Sequence, residues 1–130
     1  MQGKRAVQHK KILLVDDEKV IVEELCELLL CSDFSTDVAT SVDEALDMIE
    51  KDLSITLVIT DMRMPGKSGA DLIRALQSNT KRVFEYLIIS GHLDAGEELD
   101  GLKMESVTLM RKPIDVGELL TYLDNLSFKQ

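Results

Sequence analysis

Five polar residues of this chain stand at or just beyond the ends of short apolar runs, and their types suit phosphate chemistry. Three are carboxylates, one is a hydroxyl and one is an amine: Asp16, Asp17, Asp61, Ser90 and Lys112. Three carboxylates held close together repel one another, so their burial requires a cation. Oxygen ligands without His or Cys favour Mg²⁺, which leaves a coordination place for a phosphate oxygen. The set therefore predicts a magnesium-dependent site in which Asp61 is a carboxylate nucleophile that takes a phosphoryl group.

Asp61 is the centre of this prediction because of the segment in which it lies. It ends a β-branched apolar run that is typical of a strand buried on both faces. Pro65 and Gly66 then indicate a turn, and Ser68 with Asp71 three residues later indicates a helix N-terminus. Asp61 is therefore expected at the carboxyl end of a central strand, where open α/β sheets bind their ligands.

The elements that must position these residues alternate between strand and helix patterns. Strands are predicted at residues 11–15, 34–39, 56–60, 84–89 and 107–110. Helices are predicted to follow them, ending near residues 31, 49, 76, 102 and 123, and the fourth is the weakest because two glycines interrupt it. This β-α alternation implies a parallel sheet with helices on both faces. In such a sheet the carboxyl ends of all strands share one edge, where the five polar residues would meet.

Composition restricts the class of partner. The 130 residues suit one domain, and a net charge of −9 from 15 basic and 24 acidic residues disfavours nucleic acid and anionic membrane. It favours a metal cation and a partner with a basic docking surface. Cys26 and Cys31 are spaced to favour neither a metal pair nor a disulfide, and no transmembrane run or signal peptide is visible. A reducing, cytoplasmic location is the expectation.

Four short motifs occur in order at the predicted strand ends. They are Val15-Asp16-Asp17-Glu18, Asp61-Met62-Arg63-Met64-Pro65-Gly66, Ser90-Gly91 and Lys112-Pro113. Together they resemble the CheY-like receiver domain of two-component response regulators, from Lys11 onward. The resemblance implies a flavodoxin-like, doubly wound α/β fold with a five-stranded parallel sheet in the order 2-1-3-4-5. We expect the domain at residues 11–130, preceded by a polar, flexible arm at residues 1–10.

The resemblance implies a signalling switch that catalyses only its own phosphorylation and dephosphorylation, and so not an enzyme with an external product. Asp61 would accept a phosphoryl group from the phosphohistidine of a sensor histidine kinase or phosphotransfer protein. The domain would then alter its binding to a downstream effector. The cognate kinase, the effector and the formation of a homodimer stay open.

The resemblance also implies roles for the other site residues. Asp17 and Asp61 would bind Mg²⁺ directly, Asp16 would bind it largely through water, and the Arg63 backbone carbonyl would complete the protein ligands. The side chain of Lys112 would contact the phosphate. The resemblance further implies that the Ser90 hydroxyl would move toward the phosphate and transmit the effect of phosphorylation to the outer face of the domain.

Two positions distinguish this chain within the family pattern. The family usually has an aromatic residue three positions before the lysine, where this chain has Leu109. We expect an inward, buried Leu109, with signalling carried by the backbone after Ser90 and by the segment 93–102. The residue two beyond the phosphoacceptor varies in the family and tunes dephosphorylation, and here it is Arg63.

The same residues admit rival interpretations. Each motif alone also suits an ordinary strand end or helix-entry turn. A phosphate-binding loop at Gly66-Lys67-Ser68 is excluded because Asp61 occupies the place of that motif's first glycine. An aspartyl phosphohydrolase needs a general acid near its nucleophile. Such enzymes resemble one another in having a second Asp two residues after the nucleophile, and in this chain that place holds Arg63, which cannot give up a proton. A phosphate-independent, receiver-like interaction module remains the alternative, and the intact site argues against it.

The first helix carries an excess of apolar residues. Only three of the eleven residues from Val20 to Leu30 are polar. Either deep burial or a docking face for the kinase accounts for this excess, and the sequence favours neither.

Overall fold

Alternating strands and helices build a parallel sheet in the computed structural model, which describes residues 10–91 and 97–126. The strands are β1 (Lys11–Val15), β2 (Thr36–Ala39), β3 (Ile55–Asp61), β4 (Glu85–Ser90) and β5 (Val107–Arg111). The α-helices of the described part are α1 (Lys19–Cys31), α2 (Val42–Lys51), α3 (Gly69–Asn79) and α4 (Val116–Asn125). None of these helices is long and apolar enough to cross a membrane.

The strand order is β2-β1-β3-β4-β5, and every neighbouring pair is parallel. This order confirms the predicted flavodoxin-like sheet. The register aligns Val15 of β1 with Thr60 of β3, and Asp61 of β3 with Ile89 of β4. Each predicted site residue therefore lies at or just beyond the carboxyl edge of its strand.

The core lies on both sides of the sheet, as the doubly wound fold requires. Val58 of β3 packs in the cluster that includes residues of α2 and α3, whereas Leu57 and Ile59 pack with residues of α1 and α4. This two-sided burial is the reason why β3 is apolar at consecutive positions instead of alternate ones.

Side-chain caps begin the helices that follow β2 and β3. At α3 the capping is reciprocal, because the Ser68 hydroxyl accepts the Asp71 N–H and the Asp71 carboxylate accepts the Ser68 N–H. At α2 the Ser41 hydroxyl accepts the Glu44 N–H, but the Glu44 carboxylate accepts from Thr40 instead of from Ser41. Both caps satisfy N–H groups that the first helical turn leaves without partners.

The amino edge of the sheet is closed by polar contacts across long sequence separations. The Arg82 guanidinium donates to the carbonyl oxygens of Ile49, Asp52 and Ile55 and lies 4.8 Å above the Phe84 ring. The Lys11 ammonium donates to the Asp52 carboxylate at 2.9 Å. These contacts satisfy carbonyl groups at the end of α2 and join β1 to the α2–β3 connection.

The connection between β4 and β5 differs from the prediction. The sequence predicts a weak helix at residues 93–102, but its described part forms only the one-turn 3₁₀ helix Glu97–Leu99. A second one-turn 3₁₀ helix, Met104–Ser106, leads into β5. Gly101 between them has φ +85°, a left-handed conformation that an α-helix does not admit.

Side chains of α3 hold this connection from outside. Arg74 Nη2 donates to the carbonyl oxygens of Glu98 and Asp100 at 3.0 and 2.9 Å. The Gln77 side-chain amide pairs with both the N–H and the C=O of Lys103 at 2.9 Å. Backbone groups that a helix would satisfy internally are thus satisfied by α3.

The other predicted boundaries differ little from the structure. The second strand begins at Thr36 and not at Phe34, because Asp33 has φ 71° and Phe34 packs into the core before the strand starts. The predicted arm lies outside the described residues except for Lys10, and the first part of the 93–102 segment lies outside them as well.

Candidate functional site

Three carboxylates meet at the carboxyl edge of the sheet. Asp16 and Asp17 directly follow β1, and Asp61 is the last residue of the neighbouring strand β3. One carboxylate oxygen from each residue can be chosen so that all three lie within 4.8 Å of one another. The strand pairing of β1 with β3 thus brings together residues that are about 45 positions apart in the chain.

The backbone around Asp61 is fixed from three sides, and the residue is only 8% exposed. The Met62 N–H donates to the carbonyl oxygen of Ile89, and the Gly69 N–H donates to that of Met62, at 3.0 and 2.9 Å. The Thr60 hydroxyl donates to the Asp61 carbonyl oxygen at 2.9 Å. A Cβ at position 69 would collide with that same carbonyl oxygen, so only glycine allows α3 to begin here.

Lys112 supplies the positive charge of the site. Its Nζ donates to Asp61 Oδ1 at 3.1 Å, and its backbone N–H donates to the Ser90 carbonyl oxygen at 2.9 Å. The peptide bond from Lys112 to Pro113 is cis. Burial alone would lower the pKa of the ammonium, but the hydrogen bond to Asp61 and the neighbouring carboxylate charges outweigh burial and raise it. Lys112 is therefore a firmly protonated cation beside the Asp61 oxygen.

Asp16 shows that negative charge is crowded at this edge. Burial raises the pKa of its carboxyl group, the hydrogen bond from the Glu18 N–H lowers it, and the charge of Asp61 raises it again, with a net increase. Among the described residues, three carboxylates and the Lys112 ammonium meet at this edge, so the donor set is suited to a further cation bound through oxygen.

Ser90 and Arg63 differ sharply in exposure. Ser90 ends β4 and is 2% exposed, so its hydroxyl belongs to the buried part of the edge. The side chain of Arg63 is 65% exposed, and its Nη2 lies 3.3 Å from Glu98 Oε1 in the β4–β5 connection. The use of the Arg63 carbonyl as a metal ligand stays a prediction.

A cavity of about 490 Å³ adjoins the carboxylates between α1 and the β5–α4 connection. Most of its lining is apolar and includes Ile59, Ile89 and Ile114, and Asp61 and Lys112 are among its polar lining residues. Sequence reasoning missed this cavity. The only signal was the apolar Ile114 directly after Pro113, in a segment that is typical of a polar helix-entry turn.

The first helix is buried along one stripe and exposed at other apolar positions, and its use as a docking face stays a prediction. Val22 and Leu29 are buried in the core, which accounts for one apolar stripe. Val20 and Ile21 remain 69% and 47% exposed, and Ile21 also lines the cavity. The apolar excess of α1 therefore continues from the core onto the surface beside the carboxylates.

Leu109 lies on β5, on the side of the sheet opposite to α1. It is half-buried and packs against the core cluster that also receives Leu99 and Leu102 of the connection. Complete burial was expected, and the short connection covers this side chain only in part. The packing direction agrees with the prediction, because Leu109 faces the core.

Comparisons with known proteins agree on one family. The family model of the response regulator receiver domain matches residues 12–124 of this chain. The chain is 31% identical over 125 residues to the two-component response regulator PprB of Pseudomonas aeruginosa, a match that covers 95% of this chain and 46% of PprB. It is 35% identical over 113 residues to the transcriptional regulatory protein CpxR of Escherichia coli K12, a match that covers 85% of this chain and 46% of CpxR. The chain thus spans about half the length of these relatives.

Solved structures share the fold along most of the chain. A response regulator receiver protein from Pseudomonas putida aligns with a TM-score of 0.81 and 31% identity, over 90% of this chain and 97% of that one. A response regulator receiver domain protein from Clostridium thermocellum aligns with a TM-score of 0.78 and 32% identity, over 89% of this chain and 92% of that one.

Proposed function

Because the chain belongs to the family of response regulator receiver domains, we propose that it is a phosphorylation-dependent switch whose phosphoacceptor is Asp61. The observation that carries the proposal is the 3.1 Å contact between Lys112 Nζ and Asp61 Oδ1, beside two further carboxylates. A buried carboxylate that faces a cation and ends a central strand is suited to nucleophilic attack on phosphorus.

The phosphoryl donor in this proposal is a phosphohistidine of a sensor histidine kinase or phosphotransfer protein. A carboxylate oxygen of Asp61 attacks the phosphorus, and the new P–O bond forms as the P–N bond breaks. The electron pair of the broken bond goes to the imidazole nitrogen. The Lys112 ammonium lies where it can balance the negative charge on the phosphoryl oxygens, and the fixed backbone of Asp61 keeps the nucleophile in place.

Mg²⁺ is the cation that we propose for the acidic edge. Asp16, Asp17 and Asp61 would hold it, Asp16 largely through water, together with the backbone carbonyl of Arg63. The close approach of three carboxylate oxygens and the absence of nitrogen or sulfur donors from this group support a hard, oxygen-liganded ion. When bound, it neutralises negative charge on the transferring phosphoryl group.

Ser90 and Lys112 have different roles in the proposed switch. Lys112 acts during transfer, because its ammonium is already on the acceptor oxygen. The Ser90 hydroxyl acts after transfer, by turning toward a phosphoryl oxygen and moving the connection that follows it. The hydrogen bond from the Lys112 N–H to the Ser90 carbonyl oxygen joins the two residues, so a backbone movement of one displaces the other.

The partners follow from the surface beside the site. We propose that the kinase or phosphotransfer protein docks on the exposed part of α1 and the adjoining cavity, with basic residues facing the acidic edge. The second partner that we propose is a downstream effector protein. We further propose a cytoplasmic domain at residues 11–130 that binds neither nucleic acid nor membrane itself and turns over no external substrate.

Intact-mass measurement tests this proposal directly. The chain is incubated with a small acyl phosphate, with and without Mg²⁺, and a Mg²⁺-dependent phosphoryl adduct is expected in the wild type. Asp61→Asn should remove the adduct, because an amide oxygen is a poor nucleophile and carries no charge. Full labelling of Asp61→Asn would overturn the assignment. Steady release of phosphate without an adduct would indicate a phosphohydrolase, and no reaction at all would indicate a phosphate-independent module.

A further inference from the structure

Arg63 and Glu98 join the phosphoacceptor loop to the β4–β5 connection. Arg63 follows Asp61 by two residues, and its Nη2 lies 3.3 Å from Glu98 Oε1. The Arg63 side chain is 65% exposed and the Glu98 side chain 33% exposed, so the guanidinium is the more solvent-accessible partner of this pair. The two residues are 35 positions apart, and only the fold brings them together.

The backbone at Glu98 is held in place by hydrogen bonds from α3. Arg74 Nη2 donates to the Glu98 carbonyl oxygen at 3.0 Å and to that of Asp100 at 2.9 Å. Arg74 Nη1 donates to Asp71 Oδ1, and the other oxygen of Asp71 caps α3 at Ser68. Glu98 is therefore anchored to the start of α3, next to the loop that carries Arg63.

A phosphoryl group on Asp61 would compete with Glu98 for the Arg63 guanidinium. It brings between about 1.5 and 2 negative charges and three acceptor oxygens to the same edge of the sheet. The planar guanidinium fork matches the oxygens of a carboxylate and of a phosphoryl group alike, so both are suitable partners for it. Glu98 offers one carboxylate that is partly open to solvent, whereas the phosphoryl group would be a stronger acceptor.

Building on the proposed function, we propose that Glu98 is a positioning residue that sets the lifetime of the phosphoryl group on Asp61 by holding Arg63. In hydrolysis, water attacks the phosphorus, the bond from phosphorus to the Asp61 oxygen breaks, and inorganic phosphate leaves as the carboxylate is regenerated. A guanidinium over the phosphoryl oxygens obstructs the approach of that water. Glu98 holds the guanidinium back and so keeps the phosphoryl group open to attack.

The same competition works in the opposite direction. If Glu98 weakens the contact between Arg63 and the phosphoryl group, the phosphoryl group must weaken the contact between Arg63 and Glu98 by an equal free energy. Phosphorylation would then release one of the side-chain attachments of residues 97–103, while those from Arg74 and Gln77 remain. The connection would loosen without leaving α3.

Decay of the adduct tests the proposal in four chains: wild type, Glu98→Gln, Arg63→Met and the double variant. Glu105→Gln is the matched control, because Glu105 is an exposed carboxylate of the same connection. Each protein is labelled with a small acyl phosphate and Mg²⁺, the donor is removed, and the intact mass is followed. Glu98→Gln should lengthen the lifetime roughly two- to fivefold, the range that an exposed ion pair supports. The double variant should decay like Arg63→Met, and the control like the wild type.

Hydrogen exchange without any phosphodonor gives a second readout. Amides of residues 97–103 should exchange faster in Glu98→Gln and in Arg63→Met, and at the wild-type rate in Glu105→Gln. Absence of an adduct in the wild type would overturn the proposed function, and this inference with it. An adduct whose lifetime is unchanged in Glu98→Gln would overturn only the inference. So would a lifetime that Glu98→Gln lengthens equally with and without Arg63.

Discussion

Replacement of Gly69 by alanine should damage both stability and phosphoryl transfer. The added Cβ would collide with the Asp61 carbonyl oxygen and lie 2.9 and 3.0 Å from side-chain atoms of Thr60. Two of these three atoms belong to, or are hydrogen-bonded to, the buried peptide of the phosphoacceptor, so they have little room to retreat. Overpacking of this kind costs about 1–3 kcal/mol, and the higher helix propensity of alanine offsets up to about 1 kcal/mol.

The net loss that we expect in Gly69→Ala is about 1–2 kcal/mol in the free energy of unfolding, which corresponds to a fall of roughly 3–8 °C in Tm. The helix start and the Asp61 peptide must also move apart, because the clash is with backbone and not with the far end of a flexible side chain. We therefore expect labelling by a small acyl phosphate to slow by about tenfold, since small misplacements of a nucleophile are costly.

Gly91→Ala is the matched control for this experiment. Gly91 follows Ser90 at the same edge of the sheet, but a Cβ there would meet no atom within 4 Å. Its stability and labelling rate should remain close to those of the wild type. Thermal unfolding and the time course of the mass increase measure the two effects separately. If Gly69→Ala unfolds and labels like Gly91→Ala, the close packing of α3 on Asp61 is not what positions the phosphoacceptor.

Three further substitutions test other parts of the structure. Hydrogen bonds from Ser54 and Lys11 lower the pKa of Asp52 to about 2 from 3.8, so their stabilisation is nearly complete above pH 4 and is lost as the pH falls through 2. Asp52→Asn should therefore cost about 1 kcal/mol at pH 7 and only a small fraction of that at pH 2 in chemical denaturation, and an equal loss at both would contradict the pKa. Arg82→Lys should lower the free energy of unfolding by about 1–3 kcal/mol, because the single nitrogen of an ammonium cannot reproduce the spread of the two guanidinium nitrogens that reach these three carbonyl oxygens; exposed Arg111→Lys is the control. Ile21→Glu should reduce transfer from a kinase but not from a small acyl phosphate, and equal loss with both donors would refute the docking surface.

The sequence predicts the fold and the edge of the candidate site for one physical reason. In a parallel sheet the position of a residue along its strand decides the edge at which it lies, so Asp16, Asp61 and Lys112 could be brought together from strand ends alone. The two-sided burial of β3 was also predictable, because a short run of consecutive apolar residues is typical of a strand that is covered on both faces.

The connection between β4 and β5 was less predictable because its conformation depends on distant side chains. Arg74 and Gln77 supply its hydrogen bonds from 24–26 positions away, and no local pattern records such partners. The contact between Arg63 and Glu98 has the same origin. The cavity beside α1 arises from several elements at once, so a one-dimensional pattern gives little sign of it.

The contacts that close the amino edge of the sheet have a consequence for how this protein tolerates change. Arg82 and the pair of Lys11 with Asp52 secure the end of the molecule that is farthest along the strands from Asp61. Contacts at the amino edge therefore stabilise the fold, whereas the carboxyl edge carries the residues of the proposed chemistry. Substitutions at the amino edge should therefore lower stability without removing the chemistry, whereas substitutions near Asp61, such as Gly69→Ala, can affect both. A stabilised background, engineered at the amino edge, would then let destructive changes near Asp61 be studied in a folded chain.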